Sequence, residues 1–345
     1  MSIVRFAISV CVAISSAGAV AQSAVQYQAG SDNDASLQQA GIGNIALQYQ
    51  AGFANLSQVA QRGDYNHAQI RQRASSSEAL VTQDGQYNQL RIFQGGDELR
   101  AALVQLGDAN QVILAQEEGS DAQLRQQGHR NLYQIRQLTF DSRLVAASIG
   151  NDNDLSVNQT GHGDSFVEQV GNINQISIAQ HVYPYGGTIR ISQQGDGNHA
   201  EVAQLDGRRY PTREIELSQI GAANRMDVEQ SVGLSSFRFT QEGFGNRLDA
   251  QQSGRLLRID GSTTGNRNQV TIDQRYDFAT LQISQNGDDN VIDVKQFDLS
   301  RGGASVTQVG FANQAILTQD WIYSTLERDA VITQHGSGNL ASLSQ

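Results

Sequence analysis

Short stretches in which apolar and polar residues alternate recur along the whole chain. In VIDVKQ (291–296), two apolar residues alternate with two charged ones, and the stretch closes with Gln296. The same outline returns in QVTIDQ (269–274), RMDVEQ (225–230) and NQISIAQ (174–180). Strict alternation is typical of a β-strand with one buried and one exposed face. The pattern therefore predicts an all-β protein built from many similar strands.

These strands belong to an internal repeat, Gln-x-Gly-x-x-Asn-x-x-x-x-x-Gln. The repeat occurs 14 times, mostly at intervals of 21 to 23 residues, and every copy keeps its Gly, its Asn and its closing Gln. Only Ser148 and Thr263 replace the leading Gln. The copies begin at Gln39, Gln61, Gln83, Gln105, Gln126, Ser148, Gln169, Gln193, Gln219, Gln241, Thr263, Gln285, Gln308 and Gln334.

A second alternating strand precedes each leading Gln, as in IELSQ before Ile220 and LQISQ before Asn286. Each unit is then predicted to be a strand, a tight arc through Gly and Asn, a second strand and a second arc. Glycine adopts positive φ without steric cost, and asparagine tolerates the left-handed region, so both suit sharp reversals. One such arch cannot bury its inner face alone, but stacked arches can. The sequence predicts a cross-β solenoid of about 14 strand–arc–strand repeats in parallel register.

Stacking in register explains the repeated glutamines. Each Gln lies above its counterpart, so the side-chain amides can hydrogen-bond along the column, as they do in cross-β structures. A single buried amide would instead leave unsatisfied polar groups. The candidate ladder and arc residues, taken from six copies, are Gln61, Gly63, Asn66, Gln72, Gln105, Gly107, Asn110, Gln116, Gln193, Gly195, Asn198, Gln204, Gln219, Gly221, Asn224, Gln230, Gln285, Gly287, Asn290, Gln296, Gln334, Gly336, Asn339 and Gln345.

The two arcs of the unit differ along the chain. From Gln28 to Gln72, Gly and Asn recur in both arcs at intervals of 11 residues, whereas later copies keep only traces of them in the second arc. This indicates a doubled half-unit in which one arc has drifted. The extra length falls in that same arc, at 181–188, 205–214 and 320–329. These three segments are predicted to project from one edge of the stack.

The N-terminal segment has the features of a secretory signal peptide. Residues 1–21 contain one positive charge at Arg5, a short apolar run, and small residues at Ala19 and Ala21. Cleavage after Ala21 is expected, and the apolar run is too short for a membrane anchor. The only cysteine, Cys11, lies inside this segment, so an exported chain without disulfides is predicted. The domain assignment is a signal peptide at 1–21 and a solenoid domain at 22–345.

The overall charge limits the partners of the protein. The formal net charge is −11, with an isoelectric point near 4.9. An acidic surface does not suit nucleic acid, whose binding relies on Lys and Arg at the phosphates. No nucleic-acid partner is therefore expected, and the charge is interpreted as favouring solubility.

No chemical site emerges from the motifs. The six histidines are predicted to be solvated surface groups, because they lack ligand spacing such as His-x3-His. The acidic arcs at 31–34, 150–154 and 287–290 could hold calcium weakly, but they lack a defined calcium loop. Catalysis by paired carboxylates would need a cleft, which a repeating outer face does not provide. The expectation is a protein that is not an enzyme and has no catalytic residue, cofactor or metal ion.

The repeat resembles that of one known family. QAGIGNIALQYQ (39–50), QGDGNHAEVAQ (194–204) and VGFANQAILTQ (309–319) are similar to the curlin repeat, Ser-x5-Gln-x-Gly-x2-Asn-x-Ala-x3-Gln, and the likeness covers essentially all of 22–345. The resemblance implies a subunit of a curli-type amyloid fibre, extracellular at the bacterial cell surface, that supports adhesion and biofilm. It also implies a secretion pore in the outer membrane, a chaperone and a partner curlin subunit.

Three roles remain open at this stage. The resemblance allows a major subunit that builds the fibre or a minor subunit that nucleates it at the cell surface. A monomeric β-solenoid, such as an adhesin or an ice-binding protein, is the alternative from a different class. Ice binding calls for a regular Thr column, whereas the outward positions are mixed, and a monomer calls for capping units. The last repeat, QHGSGNLASLSQ (334–345), keeps its full pattern. The prediction is a self-assembling fibre subunit.

Overall fold

The computed structural model describes residues 22–182, 186–205, 214–231, 233–297, 302–320 and 329–345. The chain divides into two compact units, Met1–Gly161 and His162–Gln345, and each is described by itself. The sequence had assigned 22–345 to one solenoid domain. The predicted signal peptide at 1–21 lies outside the described residues.

The regular structure of the first unit consists of short β-strands. In chain order they are β1 (Ser23–Ser31), β2 (Asp34–Ala40), β3 (Ile45–Phe53), β4 (Leu56–Arg62), β5 (His67–Gln72), β6 (Glu78–Asp84), β7 (Gln89–Gln94), β8 (Arg100–Leu106), β9 (Gln111–Gln116), β10 (Asp121–Gln127), β11 (Leu132–Gln137), β12 (Ser142–Ile149) and β13 (Asp154–Gln159).

The second unit is built in the same way. Its strands are β14 (Gly163–Val170), β15 (Gln175–Gln180), β16 (Gly187–Gln194), β17 (His199–Leu205), β18 (Glu214–Ala222), β19 (Arg225–Ser231), β20 (Ser236–Phe244), β21 (Arg247–Ser253), β22 (Arg258–Thr264), β23 (Gln269–Arg275), β24 (Thr280–Asp288), β25 (Val291–Phe297), β26 (Gly303–Phe311), β27 (Gln314–Gln319), β28 (Ala330–Ser337) and β29 (Leu340–Ser344).

Within each unit, every strand pairs with the strand two places along the chain, and the pairing is parallel. The odd-numbered strands form one sheet and the even-numbered strands form the other. The register places equivalent residues of successive repeats side by side, so Gln72 of β5 pairs with Gln94 of β7. In the second unit, Val270 of β23 likewise pairs with Ile292 of β25. Each sequence repeat therefore corresponds to one turn of the stack.

Alternation along each strand separates core from surface. In β25, Ile292, Val294 and Gln296 are buried, while Asp293 and Lys295 point outward. The inner rows of the two sheets pack Leu, Ile, Val, Ala and a few aromatic side chains against one another. Full burial of one such aliphatic side chain contributes roughly 1.5–3 kcal/mol. Stacking therefore buries the apolar face that a single arch would leave exposed.

This architecture is a parallel β-solenoid, and the 29 strands of the described residues make about 14 turns. The predicted fold class is confirmed. No helix in the described part of the chain is long and apolar enough to cross a membrane. The three long segments predicted to project from one edge fall largely on 183–185, 206–213 and 321–328, which lie outside the described residues.

Candidate functional site

The last inward residue of each odd-numbered strand from β1 to β27 is a glutamine, and these glutamines form a hydrogen-bonded column in each unit. Each Nε2 donates to the Oε1 of the glutamine on the next odd strand, over 2.8–3.0 Å in the first unit. The corresponding distances in the second unit are 2.8–3.1 Å. The columns contain Gln28, Gln50, Gln72, Gln94, Gln116, Gln137 and Gln159, and Gln180, Gln204, Gln230, Gln252, Gln274, Gln296 and Gln319.

The even-numbered strands form a second column of the same kind. In the first unit the donor–acceptor distances are 2.7–2.9 Å. In the second unit they are 2.8–3.2 Å, in two segments separated by Thr263. The members are Gln39, Gln61, Gln83, Gln105 and Gln126, then Gln169, Gln193, Gln219 and Gln241, then Gln285, Gln308 and Gln334.

Many of the buried amides also donate to the backbone. Gln72 Nε2 lies 2.9 Å from the carbonyl oxygen of Leu56 and 2.9 Å from that of Ser77, besides its bond to Gln94. Gln72 itself is fully buried. An amide carries two donors and an acceptor, so these contacts satisfy it without water. The ladder therefore joins neighbouring turns and ties the side chains to the arcs.

The asparagines of the first arc form a ladder that runs the other way. Asn224 Nδ2 donates to Oδ1 of the preceding Asn198 (3.1 Å) and to the carbonyl oxygen of Gly243 in the next turn (2.8 Å). Asn198 Oδ1 also accepts the backbone N–H of Asn224 (3.1 Å). In bonds between side chains, Gln amides donate toward the following turn, whereas Asn amides donate to the preceding one. Side-chain polarity thus distinguishes the two ends of the stack.

The arc glycines are required by close approach of the backbone. Gly221 has a φ of +113°, and a Cβ there would lie 2.1 Å from the carbonyl oxygen of Gly243. A Cβ at Gly195 would likewise lie 2.0 Å from the carbonyl oxygen of Gly221. Successive arcs therefore stack so closely that no side chain fits at this position. This explains why every copy of the repeat keeps its glycine.

The structure brings the predicted glutamines and asparagines into these columns, except that Gln345 Oε1 has no hydrogen-bond partner among the described residues. The ten predicted glutamines from Gln61 to Gln296 are buried, and so are the five asparagines from Asn66 to Asn290. Gln334 is 6% exposed, because it lies on the last even strand. Asn339 is exposed and Gln345 is half-buried, since no further turn of the described chain covers them. Asn339 still donates to Asn313 Oδ1 at 2.8 Å.

Two substitutions interrupt the even column, and each is compensated locally. At Ser148, the hydroxyl of Tyr133 lies 2.9 Å from Oγ. The same hydroxyl lies 2.9 Å from the carbonyl oxygen of Arg125, so it can donate to that oxygen while it accepts from Ser148 Oγ. Burial raises the pKa of Tyr133 well above its ordinary value, and hydrogen bonding to Ser148 opposes the rise. In the second unit, Thr263 Oγ1 donates to Gln285 Oε1 at 3.3 Å.

Sequence reasoning missed one pair of buried amides. Gln26 and Gln48 occupy inward positions that are apolar in most other odd strands, where Gln48 pairs with Ile70. Gln26 Nε2 donates to Gln48 Oε1 (2.7 Å), and Gln48 Nε2 donates to Ser57 Oγ (2.9 Å). The signal was present, since strict alternation places Gln48 on the same face as Gln50. Gln48 thus has one partner on the neighbouring strand of its own sheet, Gln26, and one in the other sheet, Ser57.

The second arc has lost its asparagine column after two turns. Asn55 still donates to Asn33 Oδ1 (2.9 Å), but the equivalent positions of the next two turns are Ser77 and Leu99. Ser77 Oγ replaces one bond by donating to the carbonyl oxygen of Gly96 (3.1 Å), and Leu99 is simply buried. The drift predicted for this arc is therefore seen in the described residues.

The outer faces carry columns of charge. Arg225 pairs in register with Arg247, and Asp227 pairs with Asp249. Each basic column is offset by the acidic column beside it, with Arg225 Nε 2.7 Å from Asp227 Oδ2. Exposed pairs of this kind contribute little individually. They balance the repulsion between like charges stacked about 4.8 Å apart.

Two histidines, His67 and His199, do not fit the expectation of solvated surface groups, because the Nε2 of each is inaccessible to solvent and has no hydrogen-bond partner. His199 also lies near Glu201 and Asp227. The register pairs His199 with Arg225, so the sequence alone did not show that its imidazole approaches Asp227. Parallel register brings them together on the outer face of the odd sheet.

Comparison with models of known protein families gives no match, and comparison with curated proteins gives none either.

Proposed function

We propose that this protein is the subunit of an extracellular fibre of curlin type, in which copies join end to end through their terminal strands. The observation that supports this proposal is the state of those strands. Within the described chain, β1 and β2 have a hydrogen-bonded neighbour on one side only, and so do β28 and β29. Unpaired backbone N–H and C=O groups are a template for adding another chain.

The inner rows of the two ends match. In the register of the repeat, Ile332 and Gln334 of β28 would face Leu37 and Gln39 of β2 in a second copy. An apolar side chain would meet an apolar side chain, and an amide would meet an amide. Parallel pairing in register would continue the solenoid from one copy to the next.

The ladders have the polarity that head-to-tail addition needs. Gln39 Nε2 donates into its own unit, to Gln61 (2.7 Å), which leaves Oε1 as the acceptor at the first turn. Gln334 accepts from Gln308 (2.8 Å), which leaves Nε2 as the donor at the last turn. A donor at one end and an acceptor at the other favour growth of copies in a single orientation.

The biological setting of the proposal comes from the curlin resemblance. We propose export of the chain, passage through a curli-type secretion pore with its chaperone, and assembly at the outer surface of a bacterial cell. A partner curlin subunit would nucleate the fibre, and this chain would build it as the major subunit. The role is structural, in adhesion and biofilm, with no catalytic step.

The end-to-end mechanism is tested by charging the inner face of the last turn. In Ile332→Lys combined with Leu343→Lys, a charge would face the incoming strands, so fibre growth should stop while circular dichroism stays close to that of the wild type. The control pair is Val331→Lys with Ser342→Lys, on the same two strands but outward-facing, and it should leave growth unchanged. Thioflavin fluorescence and electron microscopy report growth.

Two results would contradict the proposal. Normal growth of the inward pair would exclude addition at β28 and β29. A wild-type chain that stays monomeric at high concentration, with no 4.7–4.8 Å meridional reflection from any precipitate, would favour the monomeric adhesin instead.

A further inference from the structure

A cluster of metal-ligating side chains lies on the outer face of the odd sheet in the second unit. His199 and Glu201 point outward from β17, and Asp227 points outward from β19. Glu201 pairs in register with Asp227. One ligand atom from each of the three residues lies within 4.8 Å of the other two. The cluster takes no part in the amide ladders.

Two of these residues, His199 and Asp227, face each other without forming a hydrogen bond. His199 Nε2 lies 3.9 Å from Asp227 Oδ1, which is too long for a hydrogen bond. Both atoms are inaccessible to solvent, and neither has a hydrogen-bond partner. Buried polar atoms are nearly always paired, so two that face each other need an explanation. Two ligands of a tetrahedral zinc ion, at about 2.0–2.2 Å from the metal, lie roughly 3.4 Å apart. A side-chain movement of about half an ångström would accommodate the ion.

Neighbouring side chains hold both ligands in the required state. His199 Nδ1 lies 3.0 Å from Oε1 of Gln175, which can only accept, so Nδ1 carries the hydrogen and Nε2 presents its lone pair. Arg225 Nε donates to Asp227 Oδ2 (2.7 Å) and leaves Oδ1 facing the histidine. Metal sites commonly use such outer hydrogen bonds to orient their ligands.

We propose that His199, Glu201 and Asp227 bind one divalent transition-metal ion of the zinc type, with the remaining coordination position open to water or an external ligand. The donor set of one imidazole and two carboxylates suits zinc better than calcium, which takes six to eight oxygens. Glu201 is exposed, so its side chain is free to rotate onto the ion. The ion would join β17 to β19 across the outer face. The proposal is independent of fibre assembly.

The chain offers a matched control in His67. Like His199, it is the first residue of its odd strand, and its Nε2 is inaccessible and lacks a hydrogen-bond partner. The outward residues around it are Gln69, Gln89 and Arg91, so no carboxylate occupies the positions equivalent to Glu201 and Asp227. A histidine in the same backbone setting without acidic neighbours should not bind the ion.

The test is titration of the purified chain with ZnCl₂ by isothermal calorimetry, on wild type, His199→Asn, Asp227→Asn and His67→Asn. Asparagine can retain a hydrogen bond to the neighbouring glutamine while losing the distal ligand. We expect one site in the wild type and in His67→Asn. In His199→Asn and Asp227→Asn, the affinity for Zn²⁺ should fall by at least about ten-fold. Removing a group that only hydrogen-bonds to a metal ligand already produces a loss of that size.

Thermal unfolding provides a second readout. Excess Zn²⁺ should raise the Tm of the wild type and of His67→Asn, because the ion binds only the folded chain, and it should not raise the Tm of the other two variants. The proposal is wrong if the wild type binds no zinc, if His199→Asn binds as tightly as the wild type, or if His67→Asn loses affinity to the same extent. Circular dichroism of each variant without metal distinguishes loss of a ligand from loss of the fold.

Discussion

At the scale of single residues, the solenoid depends on buried amides and on glycines as well as on its apolar core. Gln230 illustrates the amide contribution: it accepts from Gln204 (3.1 Å), donates to Gln252 (2.8 Å) and is fully buried. Removing one member leaves the amides of both neighbours with unmade hydrogen bonds in a dry interior. Inward and outward positions of one strand should therefore respond very differently to substitution.

The first prediction compares two adjacent residues of β19. Gln230→Leu should destabilise the chain by about 1–3 kcal/mol, the cost of stranding buried polar groups. Glu229→Gln, at an exposed outward position, should change stability by less than about 0.5 kcal/mol. Urea unfolding followed by circular dichroism measures both. Equal effects of the two substitutions would show that the ladder does not stabilise the fold.

The second prediction concerns two glycines with different surroundings. Gly221→Ala would place Cβ 2.1 Å from a backbone oxygen, so the arcs would have to separate. Gly197 has a φ of +65°, but a Cβ there would meet no described atom within 4 Å. Gly197→Ala should therefore cost only the left-handed penalty of about 1–2 kcal/mol. Gly221→Ala should cost at least twice as much as Gly197→Ala, measured by urea unfolding. A similar loss at both positions would mean that conformation matters and close approach does not.

At the scale of the element, a break in a glutamine column can be completed by a side chain from the other sheet. The hydroxyl of Tyr133 on β11 does this for Ser148 on β12. Tyr133 is fully buried and its pKa is raised, mainly because burial disfavours the phenolate. This makes the first unit sensitive to alkaline pH at one identified position.

The third prediction follows from the sign of that shift. Below the ordinary tyrosine pKa of about 10, Tyr133 is protonated in both the folded and unfolded states and contributes no pH dependence. Above it, the unfolded state loses the proton first, so stability should fall by up to about 1.4 kcal/mol per pH unit until the folded pKa is reached. Tyr133→Phe has a lower stability at neutral pH, because two hydrogen bonds are lost, but it should lack this part of the slope.

The difference between the two chains isolates Tyr133, since the other tyrosines are common to both. Urea unfolding between pH 8 and pH 12 gives the two slopes. Parallel curves for wild type and Tyr133→Phe would show that the phenol is not the titrating group.

At the scale of the whole molecule, the net charge opposes the end-to-end assembly that we propose for the terminal strands. The formal charge of −11 makes copies repel one another as they approach. The outward columns contain charges of both signs. In the whole sequence, however, 35 acidic residues outnumber 24 Lys and Arg residues. Repulsion of this kind is long-ranged and screened by salt, whereas pairing of the strand edges is short-ranged.

The fourth prediction is therefore an effect of salt on assembly. Raising NaCl from about 10 to 150 mM shortens the screening length from roughly 30 to 8 Å, so the lag before fibre growth should shorten. In the triple variant Glu98→Gln, Glu168→Gln and Glu242→Gln, three exposed negative charges are removed, and the salt effect should be smaller. A lag that lengthens with salt would contradict a mechanism limited by charge repulsion.

Much of the fold could be predicted because the same pattern of alternating residues, Gly, Asn and Gln recurs in every repeat. Period-two alternation assigns the inward and outward faces, and the structure confirms this in strands such as β25, where Ile292 and Val294 are buried. The glycine of each arc marks a sharp reversal, and the regular spacing sets the register. Parallel stacking follows, because only equivalent residues can be neighbours in such an array.

The remaining features depend on contacts that a repeat pattern does not contain. The division into two compact units, the role of Tyr133 beside Ser148, and the buried pair Gln26 and Gln48 all arise where copies differ from one another. The Tyr133–Ser148 contact crosses from one sheet to the other, whereas Gln26 and Gln48 meet on neighbouring strands of the same sheet. Distances of that kind are set by packing.

By itself, then, the sequence determined the solenoid, its register and its amide columns, because backbone pairing and side-chain alternation are local rules repeated along the chain. Only the tertiary structure decided the opposite directions of the Gln and Asn ladders, because these depend on which backbone groups each amide reaches: Gln72 Nε2 donates to backbone carbonyl groups, whereas Asn198 Oδ1 accepts the backbone N–H of the following turn. It also brought His199 together with Asp227, which belong to adjacent strands of the sheet but to different repeats. The register pairs His199 with Arg225, so the approach of its side chain to Asp227 is set by packing on the outer face and not by spacing along the chain.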